Sequence, residues 1–215
     1  MLLERLKEAV MQQALEKDFG ITPQEIDIAE KLILVCSEGV EVRDVETEAQ
    51  TLLNRAANAG SWYSRNKGPE LLKRLEEYDI DVFDTPPAIA SSDIAFNRRH
   101  YREEWGDVLQ RVLHIGGCYG IIFPDLEKPM KVPPPWNDLR YRKLYELAIE
   151  AHTHHRKMRK EPDRKILFEK GLIEIAHYCV AISLAEMFDI EKVVMEKIDA
   201  NKERVWKDYN EKLKK

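Results

Sequence analysis

Glycine is scarce in this chain, nine of 215 residues, and runs of alternating β-branched residues are rarer still. A sheet-rich domain needs both period-two strands and frequent turn glycines, so the sequence gives it no basis. There are only three cysteines, Cys36, Cys118 and Cys179, far apart and without CxxC spacing, which excludes a zinc knuckle. Each lies in an apolar setting, as buried free thiols of a reducing compartment do. No apolar run approaches membrane-spanning length, and Met1 is followed by Glu4, Arg5 and Lys7 instead of a signal-peptide core. The cytoplasm is therefore the expected location. The net charge of −5 contains no large block of one sign, which argues against gripping a nucleic-acid polymer by its phosphates. A small phosphorylated substrate held through a metal stays open. Also missing are a GxxxxGK(S/T) loop, a Gly-x-Ser-x-Gly elbow and a His-Asp dipeptide, so P-loop, serine-hydrolase and HD-type chemistries are unsupported.

What is present favours helix: Ala, Leu, Glu, Lys and Arg dominate, and apolar residues recur in every long segment. Residues 1–17 carry Leu2, Leu3, Leu6, Val10 and Leu15 on one face, and Phe19-Gly20 ends that helix. Thr22-Pro23-Gln24-Glu25 reads as the next start, with Thr22 as N-cap, Pro23 in the first turn and Glu25 closing a capping box. That helix continues past Leu53 to about Asn58. Residues 60–98 are irregular apart from a short helix at 69–78. A third long helix is predicted from Phe96 to His114, stopped by Gly116-Gly117. Pro124, Pro129, Pro133, Pro134 and Pro135 make 124–136 a linker. Three helices follow, at 137–159, 164–188 and 190–213. The expectation is an all-α helical bundle in two halves, 1–123 and 137–215.

Two carboxylate pairs interrupt core-like segments. Glu38 and Glu41 follow the apolar run Leu32-Ile33-Leu34-Val35-Cys36, and residues 34, 38, 41 and 45 form one helical stripe. Glu104 and Asp107 repeat the three-residue spacing just before Val108-Leu109 and Val112-Leu113. Solvated helix faces carry such pairs too. A polar face, however, does not sit inside an apolar run. If the two helices pack side by side, four carboxylates converge, and such a cluster must bind cations or raise its pKa values. Oxygen-only ligands select hard ions, Mg²⁺ or Mn²⁺.

Lys31 through Glu41, containing Ser-Glu-Gly-Val-Glu, resembles the first motif helix of MazG-like nucleoside triphosphate pyrophosphohydrolases. Glu103-Glu104-Trp105-Gly106-Asp107 resembles their EExxD element, and Gly116, Gly117 and Gly120 match its glycine-bearing end. The resemblance implies an all-α fold and Mg²⁺-dependent cleavage between the α and β phosphates, giving a monophosphate and pyrophosphate. It implies Glu38, Glu41, Glu104 and Asp107 as metal ligands, with Glu38 or Glu41 as the general base and Glu103 as substitute ligand. Ser37 stands where the fuller motif often has Glu. The 61 residues between Glu41 and Glu103 exceed the family's usual spacing, so 60–98 would be an insertion beside the substrate. Within it, Trp62 could stack on a base and Arg65 meet a phosphate.

The second half reads as a worn copy. Lys143 through Glu150 aligns with Lys31 through Glu38, but Thr153 replaces Glu41, and Glu174-Ile175-Ala176-His177 aligns with Glu104 through Asp107. After it, Lys197 and Asn201 resemble the family's KxxxN pair, which assists at the substrate. The rival reading is a ferritin-like metal protein using Glu150, Glu174 and His177, although only one ExxH is present. A third is an inactive helical interaction module. His152, His154 and His155 read as a polar helix face beside Arg156 and Lys157. A nucleotide is the expected partner, without nucleic-acid polymer or membrane, and a homodimer is left open.

Overall fold

The computed structural model describes residues 1–58, 99–128, 130–133 and 139–203. They form six helices and, among the described residues, no strand: α1 (Leu2–Glu16), α2 (Ile28–Asn58), α3 (Arg99–Cys118), α4 (Leu139–Lys157), α5 (Arg164–Ala185) and α6 (Ile190–Glu203). The all-α expectation holds. The expected short helix at 69–78, Trp62, Arg65 and the last helix beyond Glu203 lie outside the described residues.

Helices α2, α3, α5 and α4 form a ring in which each packs on the next, and α1 and α6 lie against α3 and each other. Neighbours in the ring run antiparallel. Along α2 and α3, Glu38 meets Arg111, while Glu46 further along α2 faces Tyr101 near the start of α3. Across α3 and α5, Trp105 packs on Tyr178 at 5.8 Å and Tyr119 on Phe168 at 5.1 Å. Along α4 and α5, the Tyr178 hydroxyl donates to the Arg140 carbonyl (3.3 Å) and the His155 ring lies 5.3 Å from Phe168. One hydrophobic cluster runs through all six helices. Helix α5 packs on α3, α4 and α6 and buries Phe168, Leu172, Ile175, Tyr178 and Cys179. No single helix among the described residues is long and apolar enough to cross a membrane.

The start of α2 differs from the expectation. Glu25 does accept the Thr22 backbone N–H (3.0 Å), half of a capping box, but around one isolated turn. The long helix begins at Ile28 because Asp27 takes over as cap, its carboxylate accepting from the N–H groups of Ala29 (2.8 Å) and Glu30 (3.1 Å). The end of α3 also differs. Gly116 and Gly117 do not stop the helix; their missing side chains let the Phe123 ring and Met11 lie directly against it. The stop is Gly120, at φ +65. There Ile121 N–H donates to Gly116 O (2.8 Å) and Gly120 N–H to Gly117 O (3.0 Å), a Schellman closure. Helix α5 closes the same way, with Met187 at φ 55 and Phe188 N–H donating to Ser183 O at 2.9 Å.

Two described residues of the proline segment are tied to the helices. The Pro124 carbonyl hydrogen-bonds His177 Nε2 (2.7 Å), and the Pro133 carbonyl accepts from Arg140 Nε (2.8 Å). Arg140 is 2% exposed, donates to Glu186 (2.6 Å) and the Tyr101 hydroxyl, and lies 3.8 Å from Glu46. This buried ionic knot ties α2, α3 and α4 to the end of α5.

Candidate functional site

Leu32, Val35 and Val42 put one face of α2 into the core, and Glu38 lands on that face, 6% exposed. On α3 the core face is Tyr101, Trp105, Val108, Leu109 and Val112. Glu104, Asp107 and Arg111 follow one another at helical spacing on the flank beside it, and all three are half-buried. Where these faces meet, one carboxylate oxygen each of Glu38, Glu104 and Asp107 lie within 4.8 Å of one another, close enough to share one cation. Glu41 is exposed and outside that triad, yet near enough to help raise the Glu104 pKa. Glu103 points to His100, at 3.8 Å. Three of the four expected ligands therefore converge, and the fourth stands at the rim.

Two cations enter the cluster. Arg111 binds Glu38 through Nε (2.6 Å) and Nη2. Lys197, expected from sequence as a substrate contact, comes across from α6 and binds Asp107. Asn201 is half-buried, one turn further along α6. These ion pairs leave Glu104 with the least compensation. Its Oε2 is buried and has no hydrogen-bond partner among the described residues. Burial first, and then the charges of Asp107, Glu41 and Glu38, push its carboxyl up to about 8 despite the nearby Lys197. Burial likewise holds Asp107 above its ordinary value, more than the Lys197 ammonium lowers it.

An oxygen-only triad with one uncompensated buried oxygen suits a hard divalent ion such as Mg²⁺ or Mn²⁺. The arrangement offers a cation a site whose filling would relieve like-charge repulsion. It also offers anionic oxygens near that cation two positive partners, Arg111 and Lys197.

The second half gathers no comparable set among the described residues. Glu150 and Glu174 are exposed; Glu150 is 3.6 Å from His154, and His177 is turned to the Pro124 carbonyl. Thr153 is exposed as well.

Comparison of the chain with protein-family models, with curated proteins and with solved structures finds no match.

Sequence reasoning does not single out Arg111, although it stands four residues after Asp107, the spacing at which helical side chains meet. Nothing in the sequence marks Arg140, because its three acidic and phenolic partners come from distant helices.

Proposed function

We propose that the chain is a metal-dependent nucleotide pyrophosphohydrolase of the MazG-like type. It would cleave a nucleoside triphosphate between the α and β phosphates, in the cytoplasm. The observation that carries the reading is the convergence of Glu38, Glu104 and Asp107 around the unsatisfied Oε2 of Glu104. Glu38, Glu104 and Asp107 would each hold Mg²⁺ or Mn²⁺ through one oxygen. The ion, when bound, supplies charge neutralisation and a more acidic water. Arg111 and Lys197 then have fewer carboxylate charges to balance and turn to phosphate oxygens, a planar fork and a point charge respectively. Glu41, exposed at the rim beside Glu104, orients the attacking water and takes its proton. Asn201, one turn beyond Lys197, serves the sugar or a phosphate oxygen. The worn-copy reading is compatible with the ring, in which α2 lies antiparallel to α4 and α3 to α5, as alternating helices do.

A second reading rests on the same ion pairs. With Arg111 on Glu38 and Lys197 on Asp107, the cluster also works as a structural salt-bridge network in an inactive module. Turnover separates the two. The hydrolase reading expects pyrophosphate and a monophosphate from nucleoside triphosphates with Mg²⁺, no turnover in chelator, and none in Glu104→Gln or Asp107→Asn variants of unchanged helix content. Full activity in either variant would reject the site, orthophosphate as sole product would reject the reaction, and no hydrolysis of any nucleotide would leave the structural network.

A further inference from the structure

A cleft of about 1190 Å³ opens at the other end of the bundle, between the turn before α2, the end of α3, the end of α4 and the start of α5. It is remote from the carboxylate triad: Cys118, on its wall, follows Asp107 by 11 residues of helix, about 16 Å at 1.5 Å per residue. Its charge is opposite to that of the triad and to the net charge of −5. Arg156, Arg159 and Lys165 line it with His152 and His155. Neither Arg156 nor Arg159 has a hydrogen-bond or ion-pair partner among the described residues. The two acids of the lining are already engaged. Glu25 accepts from the Ile21 (2.8 Å) and Thr22 (3.0 Å) N–H groups, and Asp27 caps α2.

Basic residues at the end of α4 suit its carbonyl dipole, which accounts for Arg156. It does not account for Lys165, which with Arg164 lies in the first turn of α5; each has an acid beside it, Glu169 at 3.7 Å from Lys165 and Glu161 bonded to Arg164 (2.6 Å). Arg159 lies past the end of α4 altogether. Arg156 and Arg159, without acidic partners among the described residues, mark a place where a negative charge would be favourable. The floor is different in kind. Tyr119 donates or accepts a 2.9 Å hydrogen bond with His155, both rings pack on buried Phe168, and Ile26, Ile28 and Met158 add apolar wall. Burial, and after it the charges of His152 and Arg159, keep the His155 ring below the usual histidine pKa.

We infer that this cleft is a second ligand site, separate from the carboxylate triad, that binds a phosphorylated small molecule bearing a flat ring. The phosphates sit on Arg156, Arg159 and Lys165, and the ring lies on the apolar floor by Tyr119. A concave cleft suits a small molecule better than a flat partner surface.

The test is calorimetric titration of the full chain with ADP, with pyrophosphate run in parallel, all in chelator so that metal-held nucleotide at the triad is absent. Saturable ADP binding is expected, weakening as salt rises. The Arg156→Glu, Arg159→Glu double variant should weaken it at least tenfold, and pyrophosphate should bind several-fold more weakly than ADP. Both arginines are exposed, and circular dichroism checks that the variant is folded; should it not be, Arg156→Gln with Arg159→Gln gives the same expected direction. No saturable ADP binding, or native affinity in the folded double variant, overturns the site. Equal affinity for pyrophosphate overturns the role given to the floor. Glu104→Gln should bind ADP as the native chain does under chelator, so failure of the hydrolase reading leaves this result standing.

Discussion

Replacing Glu104 with Gln keeps the side chain's shape and removes its titration. In the native chain this carboxyl ionises at about 8 when folded, against an ordinary value of 4.5. The unfolded chain therefore loses the proton first, and the folded state binds more protons across that interval. Stability accordingly falls as pH rises from about 4.5 to about 8, and the contribution is fully lost above it. At about 1.36 kcal/mol per pKa unit the whole interval corresponds to at most roughly 5 kcal/mol. Glu104 is only half-buried, so solvent screening reduces the expected effect to about 2 kcal/mol. The Glu104→Gln variant escapes this penalty. In chelator, urea unfolding followed by circular dichroism should find the two chains alike near about pH 4.5, and the variant more stable by about 2 kcal/mol near about pH 9. Adding Mg²⁺ should reverse the order, because only the native chain gains a bound ion. A variant that is less stable than the native chain at alkaline pH, or a difference that does not change with pH, would refute the account of Glu104 as an uncompensated buried acid.

Arg140→Met should cost about 3–5 kcal/mol in urea unfolding, since it strands Glu46 and Glu186 in the core without their guanidinium. Gly120→Ala should cost ~1 kcal/mol through backbone strain alone, because φ is +65 and an added Cβ meets nothing within 4 Å; a loss of more than twice that would show that space, not conformation, decides the position. The Glu150→Gln, Glu174→Gln double variant should retain near-native nucleotide turnover, as both side chains are exposed and away from the triad; a folded double variant without activity would return the ferritin-like arrangement to consideration.

The helices were legible because their apolar spacing is a local property. Leu3, Leu6 and Val10, or Trp105, Val108 and Val112, recur at one-turn intervals and are buried as that pattern demands. Helix ends were less legible because they depend on which group wins a competition. Asp27 displaces Thr22 at the start of α2 only once the turn at 22–25 has used Glu25. Gly116 and Gly117 read as breakers, yet serve the approach of Phe123 and Met11, residues a sequence window does not connect. In the site, the acids were legible as interruptions of apolar runs. Which of them converge was not: Glu41 and Glu38 share a stripe, but α3 meets α2 on the Glu38 side, leaving Glu41 exposed. Lys197 was legible through its spacing to Asn201, while its pairing with Asp107 depends on how α6 docks on α3.

The shared interior of the ring has a consequence for cutting the chain. The α2–α3 hairpin and the α4–α5 hairpin each complete the other's core, and the Pro-rich connector between them is anchored at both ends by His177 and Arg140. A backbone break at 125–128 severs no helix. It converts an intramolecular fit into an association between two fragments, each with apolar faces exposed until it finds the other. Fragments expressed together would behave as a heterodimer whose assembly is concentration-dependent, and Lys197 would then reach Asp107 from a different polypeptide.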